Sequence, residues 1–78
     1  PSIFTDTVQI SLNSKMEQNI EFDILNSKEE IEQNIFSGQV KEGDRIFKID
    51  TTLIKNGTYF ISVKTTHQSI LRKILVKN

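Results

Sequence analysis

Few side chains in this sequence could carry out catalysis. There is one histidine, His67, which could serve as the general base of a catalytic triad with Ser62 or Ser69 and an aspartate. However, His67 stands in the polar segment 65–68, whose composition is typical of a solvent-exposed turn. Nothing in the sequence fixes the geometry that a triad needs, so we expect no enzyme activity.

The sequence also offers little support for a metal or cofactor site. Glu29, Glu30 and Glu32 could form a carboxylate site, but a solvated acidic sheet edge explains them without a ligand. The sequence has no cysteine, no His/Cys cluster at metal-ligand spacing and no glycine-rich phosphate loop. Residues 56–58 match a glycosylation acceptor, a tripeptide pattern that arises often by chance. We expect neither a metal nor a cofactor.

The length of 78 residues indicates one domain, residues 1–78. No stretch approaches the ~20 apolar residues that a membrane span requires, and no secretory signal peptide opens the sequence. Because the first residue is Pro1 rather than methionine, we expect the domain to be a fragment of a longer protein.

The charge is zero overall but unevenly distributed. Residues 1–39 hold two lysines against seven acidic residues, a net of −5, and residues 40–78 hold eight basic against three acidic residues, a net of +5. A basic half could bind nucleic acid or a membrane surface. Charge pairing between neighbouring strands explains the same distribution. The basic residues alternate with aliphatic rather than aromatic ones, which argues against binding of single-stranded nucleic acid.

Period-2 alternation of apolar residues predicts the elements that must position any site. The predicted strands are 7–13, 19–26, 45–50, 57–64 and 68–77, and an Asn-Gly turn at 56–57 separates the run 49–55 from 57–64. Residues 27–36 fit either a capped helix or a strand, and we favour the strand because both neighbours are strands. Further turns are predicted at 37–38 and 42–44.

These elements predict an all-β fold, a small antiparallel immunoglobulin-like β-sandwich of about seven strands. Its predicted core is Phe22, Phe47, Tyr59, Ile61 and Val63. In the last strand, Ile70, Arg72, Ile74 and Val76 share one face, and Leu71, Lys73 and Leu75 share the other. One sheet face buries only one of these sets. We expect the second set to be covered by a neighbouring segment or to contact a partner through its leucines and lysine.

Several short motifs follow one another in order toward the end of the chain. Ile49-Asp50 is followed by Ile54, then by Gly57 and Tyr59-Phe60, and the last residues are Arg72 to Lys77. In this order they resemble the C-terminal sorting domain of type IX secretion cargo, which has an Ile-Asp pair, a Gly-x-Tyr-Phe strand and a basic-then-apolar end.

The resemblance covers essentially the whole chain, because residues 1–5 are similar to the Pro-Asn-Pro segment at the start of such domains. The chain departs from the pattern at Ser2 and Ile3, which replace Asn and the second Pro, and at Lys55, which replaces a common Pro. The turn after Leu25 also lacks the glycine that the family often has.

The resemblance implies a secretion signal rather than a catalyst. The domain would fold in the periplasm, direct an N-terminally fused cargo through the outer-membrane translocon, and be recognised by a sortase-like surface peptidase, so that the cargo reaches the cell surface or the medium. The partner-recognition residues that it implies are Gly57, Tyr59, Leu71, Arg72, Lys73, Ile74, Leu75, Val76 and Lys77. Gly57 and Tyr59 also have purely structural explanations.

An alternative class is an immunoglobulin-like carbohydrate-binding or adhesion module of an extracellular enzyme. Carbohydrate binders usually present exposed aromatic rings. This chain has no Trp, one Tyr and five Phe, and most of these aromatic residues fall at inward strand positions. The composition therefore disfavours this alternative.

Overall fold

Residues 2–78 are described by a computed structural model and form seven strands and one 3-10 turn. The elements are β1 (Ser2–Phe4), β2 (Thr7–Ser14), β3 (Gln18–Leu25), β4 (Ile31–Val40), β5 (Gly43–Asp50), the 3-10 helix Thr51–Leu53, β6 (Gly57–Thr65) and β7 (Ser69–Val76). One sheet has five strands in the order β1-β7-β6-β3-β4, and the other pairs β2 with β5. The predicted small all-β sandwich is confirmed.

The core lies between the two sheets and follows the predicted alternation. All five predicted core side chains are buried. The rings of Phe22 and Phe47 meet edge to face across the sandwich, with centroids 5.3 Å apart. Phe36 approaches Phe47 at 5.4 Å from the side. These aromatic contacts place β5 of the smaller sheet above β3 and β4 of the larger one.

The strand interpretation of residues 27–36 is confirmed from Ile31 onward, because Phe22 pairs with Phe36 and Ile24 with Gln33. The turn predicted at residues 37–38 is wrong. Gly38 lies inside β4 opposite Ile20, with a φ of +152°. The glycine accommodates this positive φ while the strand stays extended, and the chain does not reverse here. The reversal occurs at residues 41–42, and Gly43 already begins β5.

The runs on either side of the predicted Asn56-Gly57 turn do not pair with each other. β5 pairs with β2, whereas β6 pairs with β3 and β7, so residues 51–56 cross from one sheet to the other. The strand ends at Asp50 because its carboxylate accepts hydrogen bonds from the backbone N–H (3.0 Å) and hydroxyl of Thr52, which caps the 3-10 turn. These two hydrogen bonds lower the pKa of Asp50.

The strand-like run 49–55 consists of the end of β5, the 3-10 turn and the crossover, and the seventh strand is β1. It pairs with β7 in parallel, with Ile3 opposite Leu75 and Phe4 opposite Val76, so the antiparallel prediction holds for every strand pair except this one. Beyond β7, the Lys77 N–H donates to the Phe4 carbonyl at 3.0 Å. The first and last strands thus close one edge of the larger sheet together.

Cross-strand charge pairing occurs at one place in the strand registers of residues 2–78, where Glu21 faces Lys64. The acidic connection between β3 and β4 and the basic β7 lie on opposite sides of β6 in the larger sheet. Strands of the two halves are neighbours in both sheets, as β2 with β5 and β3 with β6, but their charged residues are directly opposite each other only at this one position, Glu21 and Lys64.

Candidate functional site

The terminal strand β7 has two faces that differ in exposure. Ile74 and Val76 point into the sandwich and are buried. On the opposite face, Leu71 is 45% exposed, Lys73 is exposed and Leu75 is half-buried. The division follows the predicted alternation. The outward set is therefore not covered by another segment of the described chain, which leaves the partner interpretation open.

Arg72 lies on the inner side of β7 together with Ile70, because these residues face Ile61 and Val63 of β6. Both are nevertheless exposed. The two-stranded sheet ends before it covers this half of β7. Sequence alternation predicted the face correctly but could not predict how far the second sheet extends.

The outward residues of β7 continue into an apolar surface on the neighbouring strands. Lys73 lies opposite Phe60 of β6, Phe60 opposite Leu25 of β3, and Leu25 opposite Ile31 of β4. On the other side, Leu75 lies opposite Ile3 of β1. One row of side chains thus crosses four strands of the sheet, and a second joins β7 to β1.

We call this surface the outer patch, which consists of Ile3, Leu25, Ile31, Phe60, Leu71, Lys73 and Leu75. Ile3 is 63% and Ile31 61% exposed, whereas Leu25, Phe60 and Leu75 are half-buried. Exposed apolar side chains gathered on one sheet face often mark an interaction site. Lys73 adds a cation at the centre of the patch.

Four members of the outer patch were missed by the sequence analysis: Ile3, Leu25, Ile31 and Phe60. The available signal was the pair of adjacent apolar residues in otherwise alternating strands. Leu25 follows the inward Ile24, and Phe60 stands between the inward Tyr59 and Ile61. In a sheet with one solvated face, such off-phase apolar residues must point outward.

A polar cluster borders the patch. Asp23 and Ser62 lie opposite each other on the outer face and are both buried by their neighbours. The Asn34 side-chain amide donates to the Asp23 carboxylate at 2.7 Å and to the Ser37 hydroxyl at 3.0 Å. The hydrogen bond to Asp23 links β3 to β4 beside the patch.

Gly57 and Tyr59 occupy structural positions. Gly57 begins β6 with a φ of +154°, a conformation that side chains rarely adopt. Tyr59 is buried, and its hydroxyl donates to the Lys55 carbonyl at 2.7 Å, which fixes the crossover. Burial raises the pKa of Tyr59, with a further contribution from the negative charge of Glu32.

The end of β7 is held by a hydrogen-bond cluster around Asn78. Its side-chain oxygen accepts from the Asp6 N–H at 3.0 Å and the Thr51 hydroxyl at 3.2 Å, and its amide donates to the Thr51 carbonyl at 2.9 Å. Its backbone N–H donates to the Asn56 side chain at 3.0 Å. The segment after Val76 is thus tied to the crossover and to the β1–β2 connection.

The chemical groups considered first do not assemble into an active site. His67 is exposed in the turn after β6, whereas Ser62 is buried at mid-strand. Glu30 and Glu32 accept hydrogen bonds from the Asn26 amide and stabilise the β3–β4 turn. Within residues 2–78, no three acidic or imidazole side chains gather where they could hold a metal ion.

The aromatic side chains give no flat binding platform. Phe4, Phe22, Phe47 and Tyr59 are buried, and Phe60 is half-buried. Phe36 is covered by the Arg45 guanidinium, which lies 4.3 Å above its ring. The carbohydrate-binding alternative thus lacks the exposed aromatic rings on which it would depend.

Within residues 2–78 there is no helix with the length and apolar character needed to cross a membrane. Searches of curated proteins and of solved structures gave no match to the chain. A family model described as "Secretion system C-terminal sorting domain" matches residues 1–77. Domains of this family mark proteins for type IX export across the outer membrane, to the cell surface or the medium. The chain therefore belongs to the C-terminal sorting domains of the type IX secretion system.

Proposed function

We propose that the outer patch is the surface by which the translocon recognises this domain and accepts its N-terminally fused cargo. The observation that supports this is the outward set of exposed Leu71, exposed Lys73 and half-buried Leu75, on a strand whose other face carries the core residues Ile74 and Val76. Two leucines on either side of a lysine offer a partner both an apolar anchor and a charge. Because the core lies on the opposite face, recognition can be altered without unfolding the domain.

We further propose that a sortase-like peptidase at the cell surface then separates the domain from its cargo and that the cargo stays attached there. No catalytic group of this chain is needed for that step, since the bond is cleaved by the partner. The domain acts as an address, and its contribution is a stable fold that presents the outer patch.

The test fuses residues 1–78 to the C-terminus of a periplasmic reporter in a host that has the secretion system. Leu71→Gln combined with Lys73→Glu should lower the exported fraction several-fold, with the melting temperature of the domain nearly unchanged. The matched control is Ile46→Gln, because Ile46 is 62% exposed but lies on β5, away from the patch. This variant should be exported normally.

Two failures have different meanings. If the folded parent fusion stays in the periplasm, the sorting function itself is refuted for this chain. If the parent is exported and the double variant is exported equally well, recognition does not use the outer patch. The mass of the reporter at the cell surface tests cleavage: a reporter that still carries the domain there contradicts removal by a peptidase.

A further inference from the structure

The free edge of β2 differs from the other open strand edges of residues 2–78. β1 has three residues, β4 carries two register shifts, and β5 contains four charged residues. β2 has eight residues, no charge and no proline, and it pairs with β5 without a register shift. Native proteins protect exposed edges by shortness, bulges or charge. β2 has none of these protections.

The larger sheet projects beyond this edge. Phe47 of β5 lies over Phe22 and Phe36 of β3 and β4, and Leu12 of β2 lines a cavity of about 270 Å³ together with Val63 and Ile70. The smaller sheet therefore faces β3, β4 and β6 and reaches only the margin of β7 at this end. On the inner face of β7, Ile74 and Val76 are buried, whereas Ile70 is 37% exposed and Arg72 is exposed, so only the N-terminal half of this face is uncovered. We call Ile70 and Arg72 the ledge.

The ledge limits what can pair with β2. A second sandwich approaching edge to edge would bring its own projecting sheet against β7 and β1. A single extended strand meets no such obstacle, since strands in a sheet lie about 4.8 Å apart and packed sheets about 10 Å apart. Such a strand would lie beside β2 and directly above the ledge.

Charge further restricts the occupant. The Arg72 guanidinium makes one hydrogen bond, of 3.4 Å to the neighbouring Leu71 carbonyl. The side chain is exposed, so its other donors are accessible to a partner. A carboxylate in the added strand would pair with them, whereas a lysine there would be repelled.

We propose that the free edge of β2 binds one extended segment of a partner polypeptide, which becomes the third strand of the smaller sheet. Its backbone pairs with β2, alternate apolar side chains cover Ile70, and an acidic side chain meets Arg72. This surface is separate from the outer patch, so the proposal does not rest on the function proposed above.

The test uses the complete 78-residue chain and a designed peptide, acetyl-Thr-Val-Thr-Glu-Thr-Val-Thr-Val-amide, with a matched peptide that has Lys in place of Glu. Amide hydrogen exchange measured by NMR should slow at alternate residues of β2 when the Glu peptide binds. The Glu peptide should bind on the order of fivefold more tightly than the Lys peptide, as expected for one exposed ion pair.

Arg72→Glu should reverse the preference between the two peptides. Lys73→Glu is the matched control, because Lys73 is the next residue but lies on the outer face, and it should leave the preference intact. Melting curves of both variants should match the parent, since both side chains are exposed.

The proposal is overturned if neither peptide slows exchange in β2 at millimolar concentration, or if protection falls on the edges of β4 or β5 instead. Equal affinity for the two peptides, or a preference that Arg72→Glu does not change, refutes the role of the ledge. Protection of β2 that grows with protein concentration and without peptide would show that a second copy of the chain is the occupant.

Discussion

Truncation of Phe22 tests whether the aromatic contact between the sheets stabilises the fold. Phe22 is 0% exposed and meets Phe47 edge to face at 5.3 Å. Phe22→Ala removes a buried ring and leaves a cavity, which costs about 3–5 kcal/mol. A domain of this length has a total free energy of unfolding of only about 4–12 kcal/mol. The variant should therefore melt roughly 12–40 °C below the parent.

Phe60→Ala is the matched control for this measurement. It deletes the same ring from the outer face of β6, where Phe60 is half-buried and solvent can fill the space. Only part of the transfer free energy is lost, so the cost should be about 1 kcal/mol. Both variants are compared with the parent by thermal and urea unfolding followed by circular dichroism. A Phe22→Ala variant that melts within a few degrees of the parent, or two variants that lose equal stability, would refute the core assignment.

Three further changes test local features. Gly57→Ala should cost about 1–3 kcal/mol in urea unfolding, because alanine is strained at a φ of +154°; a neutral result would mean that the backbone relaxes freely. Asn78→Ala removes three side-chain hydrogen bonds, two of them to Thr51, and should lower the free energy of unfolding by about 1–3 kcal/mol. Asn78→Asp should keep part of this stability. Equal melting temperatures of the parent and both variants would contradict this. The pKa of Asp50 lies below its unfolded value, so its stabilisation is present above the unfolded pKa and is lost as pH falls through the folded pKa. Thr52→Ala removes the hydroxyl bond and keeps the N–H bond, so it should raise the pKa of Asp50 in an NMR titration; an unchanged pKa would show that the hydroxyl bond is not a cause of the lowered value.

The period-2 pattern predicted the strands and the core because one face of each sheet is buried. A strand with a single buried face must alternate, and its register cannot slip without exposing the core. Apolar residues at every second position, Phe22 and Ile24 in one strand and Tyr59, Ile61 and Val63 in another, therefore identify the core residues directly. The two faces of β7 were predictable for the same reason.

Sheet membership was not predictable from the same pattern. Asn56-Gly57 has the composition of a hairpin turn, yet the chain changes sheets there. The difference depends on distant contacts: the N–H and hydroxyl of Thr51 both donate to the Asp6 carbonyl, at 2.8 Å and 2.7 Å. Local turn propensity does not contain information about partners that are more than forty residues away.

The candidate surfaces were likewise only partly predictable from the local sequence pattern. The sequence supplied Leu71, Lys73 and Leu75, but their union with Ile3 and Ile31 depends on strand order, which places β1 and β4 at opposite edges of one sheet. Deletion of residues 75–78 would consequently be a poor test of recognition. It removes the buried Val76 and the hydrogen bonds of Asn78 together with Leu75, so folding and export would fail together.

The distribution of stability and exposure over β7 favours single-residue changes over truncation. Its C-terminal half is fixed by core contacts of Ile74 and Val76, by β1 on one side and by β6 on the other. Its N-terminal half has β6 as its partner and leaves Ile70 and Arg72 uncovered on the inner face and Leu71 on the outer face. A partner could therefore contact both faces of this half without disturbing the core. A change at Leu71 should lower export and leave the binding of an added strand to β2 intact, whereas a change at Arg72 should have the reverse effects.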